Sequence, residues 1–234
     1  MNNQKTFKNI YLENTWGDPE SKSGTGSNLK QTQVLRKELP KLLNKLGINT
    51  LLDIPCGDFY WMNLIKSDLG QILQNYTGGD LVSELTEENN KKYADSKFNF
   101  LVLDLKESNL PKSDIVLCRD CLVHLSYSDI IKCLRNIKRS KSKYLLTTTF
   151  SEKKNKNIVT GAWRPINLCS FPFKMKTPKI IILENCSEGN GGYHDKSLAL
   201  WEVGDINISV MIFNLFIHNV RGLIRKITVQ MNAS

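Results

Sequence analysis

The chain has 234 residues, is 41% hydrophobic and carries a formal net charge of +9. That length and apolar content suit one ordinary domain with a proper core, with or without an appendage, and exclude a disordered chain. No uninterrupted apolar run approaches the roughly 20 residues of a spanning helix.

Residues 1–9 are polar and read as no secretory leader. The six cysteines are scattered rather than framed as a small disulfide scaffold, which suits reduced thiols and a cytoplasmic location. The excess charge fits either an anionic partner or a lysine-biased composition. Its densest stretch, 132–143, is either a solvated helix face or an anion-facing patch.

Residues 1–27 end in Ser21-Lys22-Ser23-Gly24-Thr25-Gly26-Ser27, a flexible loop signal without the Gly-Lys-Ser/Thr ending of a phosphate-binding loop. They form a candidate N-terminal lid, with Trp16 and the loop closing over a ligand. Ser27 is a candidate cap for a helix over 28–46, where Leu29, Leu35, Leu39, Leu42, Leu43 and Leu46 make a helical stripe ended by Gly47.

A strand at about 50–54 follows, then a short helix over 59–65. Strand 76–80 precedes a helix over 84–93. Strands at 98–103 and 114–118 lead to a helix over 128–138 and a strand at 143–149. This alternation predicts a doubly wound, largely parallel sheet with helices on both faces. After Phe150 the period is lost over 151–176, and two further strands are expected at 179–184 and 197–203. The main domain spans 28–204.

The tail, 205–234, is apolar and then basic, with Arg221, Arg225 and Lys226. It reads as a helix packed on the body, a dimer contact or a membrane-surface helix, and the oligomeric state is left open.

The most informative stretch is Thr50-Leu51-Leu52-Asp53-Ile54-Pro55-Cys56-Gly57-Asp58. A strand running into a glycine-containing turn begins a nucleotide-binding βα unit. A dinucleotide places its pyrophosphate at the helix N-terminus, where carboxylates repel it. Asp53 and Asp58 flank this turn, so a ligand with a cationic near end and no phosphate fits better; S-adenosylmethionine carries an ammonium and a sulfonium. Asp80 lies 23 residues beyond Gly57, about where a ribose-binding acid is expected, and Asp104 ends the third strand.

With Leu52–Asp58, Tyr76-Thr77-Gly78-Gly79-Asp80, Leu101-Val102-Leu103-Asp104 and Asp114-Ile115-Val116-Leu117-Cys118-Arg119-Asp120-Cys121-Leu122-Val123-His124-Leu125, the chain resembles the class I S-adenosylmethionine-dependent methyltransferases over roughly residues 24–203. More narrowly it is similar to bacterial and viral members with the Pro-Cys-Gly-Asp turn, some linked with surface-glycan synthesis. The resemblance implies a Rossmann-like seven-stranded sheet whose last strand runs antiparallel. It implies that Asp53, Cys56, Gly57 and Asp58 hold the methionine end, Asp80 and Leu81 the ribose, and Asp104 and Leu105 the adenine. The backbone near Arg119 closes on the methionine ammonium. The family's glycine-rich turn is reduced here to Gly57.

His124, supported by Asp120, is the candidate base or substrate-orienting group, since imidazole transfers protons near neutral pH; a histidine satisfying backbone groups is the competing reading. Trp163, Arg164 and Asn167 are candidate substrate-binding residues, offering a flat apolar face and an anion-binding fork, against a Trp that only anchors its loop. Cys118-x-x-Cys121 reads as packing, and Glu184, His194 and Asp195 have no spacing that fixes a site, so no metal is expected. The resulting expectation is a methyltransferase acting on a sugar or glycan intermediate or another small polar acceptor, with no specific nucleic-acid partner and weak membrane-surface contact through the tail as an option. Two alternatives are a nicotinamide-dependent oxidoreductase, which the acids at the first turn disfavour, and a non-catalytic membrane or nucleic-acid binding module.

Overall fold

The computed structural model describes residues 3–231, with side chains for 6–224. It begins with a helix the sequence did not announce, α1 (Asn3–Leu12), followed by a loop and α2 (Gln33–Lys45). Ser27 does not cap α2. It lies in a 3-10 turn, Thr25–Ser27, and the cap position falls to Thr32, whose Oγ1 instead donates to Asn28 O at 2.7 Å. Gly47 takes the left-handed conformation (φ 63°) that turns the chain out of the helix.

From there strand and helix alternate: β1 (Thr50–Asp53), α3 (Tyr60–Asn63), α4 (Lys66–Ile72), β2 (Asn75–Asp80), α5 (Ser83–Tyr93), β3 (Phe98–Val102), β4 (Ile115–Cys118), α6 (Tyr127–Arg139) and β5 (Tyr144–Phe150). After the irregular stretch come β6 (Ile180–Leu183), β7 (Lys196–Glu202) and a long final helix, α7 (Ile208–Met231). The sheet order is β3-β2-β1-β4-β5-β7-β6. The first five strands are mutually parallel, and β7 pairs antiparallel with both β5 and β6. This is the expected Rossmann-like seven-stranded α/β sheet with an antiparallel last strand.

Both faces of the sheet are covered, so the central strands are apolar throughout rather than alternating. The period of two still divides them: Leu51, Ile115 and Leu117 pack with Leu35, Leu39 and Tyr76 on one side, while Leu52, Val116 and Cys118 pack with Tyr127, Ile130 and Trp201 on the other. The order of the strands reverses between β1 and β4. Their carboxyl ends therefore diverge into a crevice, the place where open α/β sheets bind ligands.

Candidate active site

A cavity opens at that switch point. Asp53, Cys56, Gly57, Asp58, Asp80, Leu81, Asp104, Leu105, Arg119, Asp120 and His124 all line it. The structure thus gathers every residue expected to touch the cofactor, together with both expected catalytic groups. Trp61, Val82, Leu85 and Leu103 supply apolar wall, and Phe7, Tyr11, Trp16, Lys22, Ser23 and Ser27 cover it from the N-terminal side.

The first turn is fixed on both sides of one residue. The Gly57 N–H donates to Asp80 Oδ2 at 3.2 Å, and Gly57 O accepts from Asn89 Nδ2 at 2.8 Å. A phosphate-binding turn would offer that N–H to an anion; here a carboxylate already holds it. Gly57 has φ 56°, and a Cβ there would collide with Ser23 Oγ.

Asp58 lines the cavity and also binds the N-terminal segment. Its carboxylate accepts from Ser21 Oγ at 2.9 Å, the Lys22 N–H at 2.9 Å and Ser23 Oγ at 3.0 Å, and its own N–H donates to Ser23 Oγ at 2.9 Å. Those bonds pin residues 21–23 across the turn, so Asp58 latches the N-terminal segment.

Asp53 and Asp80 end adjacent strands and are both buried. Burial pushes Asp53 up to about 7, against the pull of Tyr76, whose hydroxyl donates to Asp53 Oδ2 at 2.6 Å. Burial likewise pushes Asp80 up to about 6, although the Val82 and Gly57 N–H groups favour its charged form. Two such acids in one apolar-walled crevice are incompletely compensated, and a bound cation or a pair of hydroxyls would relieve them. The donor set fits S-adenosylmethionine: acids for its positive end and ribose, apolar walls for adenine. Asp104 lines the same cavity, its Oδ1 accepting from the Lys106 N–H at 2.7 Å.

On the other side of the crevice the charges are already paired. Arg119 donates to Glu184 Oε2 at 2.7 Å and to Gly26 O at 2.8 Å. Burial opposes its charge, but Glu184 and Asp120 more than offset this and raise its pKa. Lys196 donates to Asp120 Oδ2 at 2.7 Å. Burial works against the ionised Asp120 as well, yet Lys196 and Arg119 outweigh it and hold the acid down at about 2. Asp120 therefore stays ionised near neutral pH, and its charge acts on His124 by favouring the protonated ring. It sits at φ 49° and exchanges hydrogen bonds with Thr148. Gly26 passes so close that a Cβ there would lie 2.8 Å from Asp120 Oδ2.

His124 stacks on Trp16, with ring centroids 4.8 Å apart, and its Nδ1 lies 3.2 Å from Ala162 O. Burial lowers its pKa, partly countered by Asp120, so the ring is neutral at pH 7 and able to accept a proton.

The expected substrate residues are not brought to the cavity. Arg164 is buried, and its guanidinium donates to the carbonyls of Leu122 at 2.8 Å, Leu125 at 2.7 Å and Lys156 at 3.2 Å. Burial lowers it to about 10. Its fork organises the His124 loop instead of meeting an acceptor. Asn167 is buried too, and donates to Ser151 O at 2.7 Å. Trp163 remains exposed but packs edge-on against Tyr193 at 4.9 Å.

Cys121 is raised by its hydrogen bond with Cys118 and then by burial, which leaves a thiol and not a thiolate. Glu184 is taken by Arg119, and His194 faces Glu152 at 3.2 Å. Among the described residues no group of three or more His, Cys, Asp or Glu is arranged to hold a metal ion.

Sequence reasoning missed Lys196, Trp61 and Tyr76. Trp61 lies 5.7 Å from the Arg119 guanidinium. Tyr76 is the phenol held against Asp53; its place in β2, one strand over from Asp53, was the available signal.

No family model matches the chain, and no curated protein matches it. Solved structures do. Magnesium protoporphyrin IX methyltransferase of Synechocystis PCC 6803, with bound SAM, superposes at a TM-score of 0.57 and 11% identity, over 86% of this chain and 97% of that one. Human N-acetylserotonin methyltransferase, in complex with SAM, gives 0.53 at 11% identity over 85% of this chain; this chain spans 59% of that protein's length. The N-methyltransferase NodS of Bradyrhizobium japonicum WM9 gives 0.50 at 12% identity, over 76% and 98%. At these identities the likeness establishes the fold: this chain has the Rossmann-like sheet on which those methyltransferases are built.

Proposed function

We propose that the protein is an S-adenosylmethionine-dependent methyltransferase whose acceptor is a small polar molecule, an oxygen of a sugar or glycan intermediate. The observation that carries the cofactor is the buried pair Asp53 and Asp80, raised to about 7 and about 6 in a crevice whose first turn has no free N–H for a phosphate. This also favours the reading over a nicotinamide enzyme.

When bound, S-adenosylmethionine supplies a methyl on a positively charged sulfur, open to in-line attack by a lone pair. The chain's part is to align and to exclude water, from which most of the rate gain comes. Asp80 presents its remaining lone pairs to ribose hydroxyls, and Asp53 faces the cationic end. Residues 1–27 act as the lid: the Asp58 latch holds Ser21 to Ser23 down, and Trp16 stacks over His124. Neutral His124 takes the proton of an acceptor hydroxyl. The resemblance to glycan-linked members supports the acceptor class.

A transfer assay with methyl-labelled cofactor against fractionated host extract tests this reading. Label is expected in the glycan or sugar fraction; label confined to protein or RNA overturns the acceptor class. His124→Gln should lower kcat by about a hundredfold and flatten the rise of rate with pH, with cofactor affinity unchanged. An unaltered rate and profile would remove His124 from the chemistry.

A further inference from the structure

The long final helix presents two apolar stripes. Ile208, Met211, Leu215 and His218, spaced three and four apart, face the body: Met211 is fully buried, Ile208 and Leu215 pack on the core, and His218 lies 5.5 Å from the Tyr127 ring. A second stripe, Phe213, Phe216, Val220 and Leu223, repeats the same spacing on the opposite side. Phe213 is 62% exposed, Phe216 64% and Leu223 60%. A surface helix ordinarily turns charge to that side. A contiguous apolar face of this kind marks an interaction surface.

The charge pattern selects the occupant. Residues 206–234 contain Arg221, Arg225 and Lys226 and no acidic residue, within a chain of net charge +9. A second copy would bring like charge against like charge. An anionic bilayer brings opposite charge and an apolar layer for the phenylalanines. No helix among the described residues is long and apolar enough to cross a membrane, so this one lies in the interface plane.

The position of α7 gives that contact a consequence. It runs antiparallel to α6: Lys138, near the end of α6, donates to Ile206 O at 2.6 Å, whereas Tyr127, its first residue, meets His218. His124 precedes Tyr127 by three residues at the cavity wall. Beyond His218 the helix therefore continues past the edge where the cavity lies, for about 20 Å at 1.5 Å per residue. The described side chains from 219 to 224 are all exposed.

We infer that the outer face of α7 docks on anionic lipid, holding the cavity beside a membrane surface. Flotation of the full chain with phosphatidylcholine vesicles and with equimolar phosphatidylcholine–phosphatidylglycerol vesicles tests this. Binding is expected to the anionic vesicles, about a hundredfold tighter than to the neutral ones, and lost in high salt. F213E/F216E should abolish it, and R221Q/R225Q/K226Q should reduce it to the neutral-vesicle level, both with unchanged circular dichroism. Failure to float, equal binding to both vesicles, or anionic-vesicle binding that either variant leaves undiminished overturns the inference. So does a dimer in light scattering that F213E/F216E dissociates, which assigns the face to a second copy.

Discussion

Two groups of buried or half-buried carboxylates flank one crevice in opposite electrostatic states. At the ends of β1 and β2, Asp53 and Asp80 have no ion-pair partner among the described residues, and burial raises both. Just past the ends of β4 and β6, Asp120 and Glu184 are matched by Lys196 and Arg119, and Asp120 is held near 2. The same residue type in the same layer therefore serves two purposes. The paired side is finished architecture that ties the Gly26 loop to the sheet. The unpaired side is incomplete until a partner supplies positive charge or hydroxyl donors. An acid at a strand end is informative about ligand binding only once its neighbours are known.

Breaking the paired side should have the largest effect on stability. Lys196→Met leaves Asp120, Glu184 and Glu188 without the ammonium that faces all three. A loss of about 3–5 kcal/mol is expected, read as a drop in denaturation midpoint. A smaller loss than that of an ordinary surface substitution would show the cluster to be dispensable.

Changing the unpaired side should cost binding instead. Asp80→Asn keeps an acceptor for the Gly57 N–H but removes the charge, and should weaken S-adenosylmethionine by about a hundredfold in calorimetry. Retained affinity would remove Asp80 from the binding site.

Asp53 sharpens the contrast through pH. Its folded value of about 7 lies above the ordinary 3.8, so the folded protein keeps a proton that the unfolded chain releases between those values. The stability this gives is full below about pH 4 and is lost as pH rises through about 7. Asp53→Asn should therefore raise Tm without cofactor at pH 8, by roughly 3–6 °C, with little change at pH 4. Equal shifts at both pH values would mean that Asp53 is ordinarily ionised. The smallest effect is expected at the latch: Ser23→Ala removes hydrogen bonds to Asp58 and should loosen the lid, weakening cofactor by about fivefold.

What could be read in advance follows from distance along the chain. That Asp53, Gly57, Asp80 and Asp104 line one crevice was legible because Asp53 and Asp80 end strands, Gly57 and Asp104 lie in the turns just after strands, and strand periodicity is local. The sheet was legible for the same reason. The latch was not: Asp58 meets Ser21 and Ser23 across 35 or more residues, and nothing in Pro-Cys-Gly-Asp distinguishes a carboxylate aimed at a ligand from one aimed at a loop. The pair of Lys196 and Asp120 spans 76 residues. Arg164 misled because its type suggests an exposed anion-binding fork, whereas three carbonyls of a tight loop had already engaged it. Helix α1 escaped notice because its residues are mostly polar and its apolar stripe, Phe7, Ile10 and Tyr11, spans little more than one turn.

The central claim is that the crevice is built to receive a cation without phosphate. Isothermal titration of S-adenosylmethionine near pH 6.5, repeated in buffers of different ionisation heat, tests it most directly. Binding should release protons, because a cation draws Asp53 and Asp80 into their charged forms, and affinity should rise with pH through 6 to 7. The absence of binding heat, proton uptake in place of release, or tighter binding of a nicotinamide dinucleotide would contradict the account.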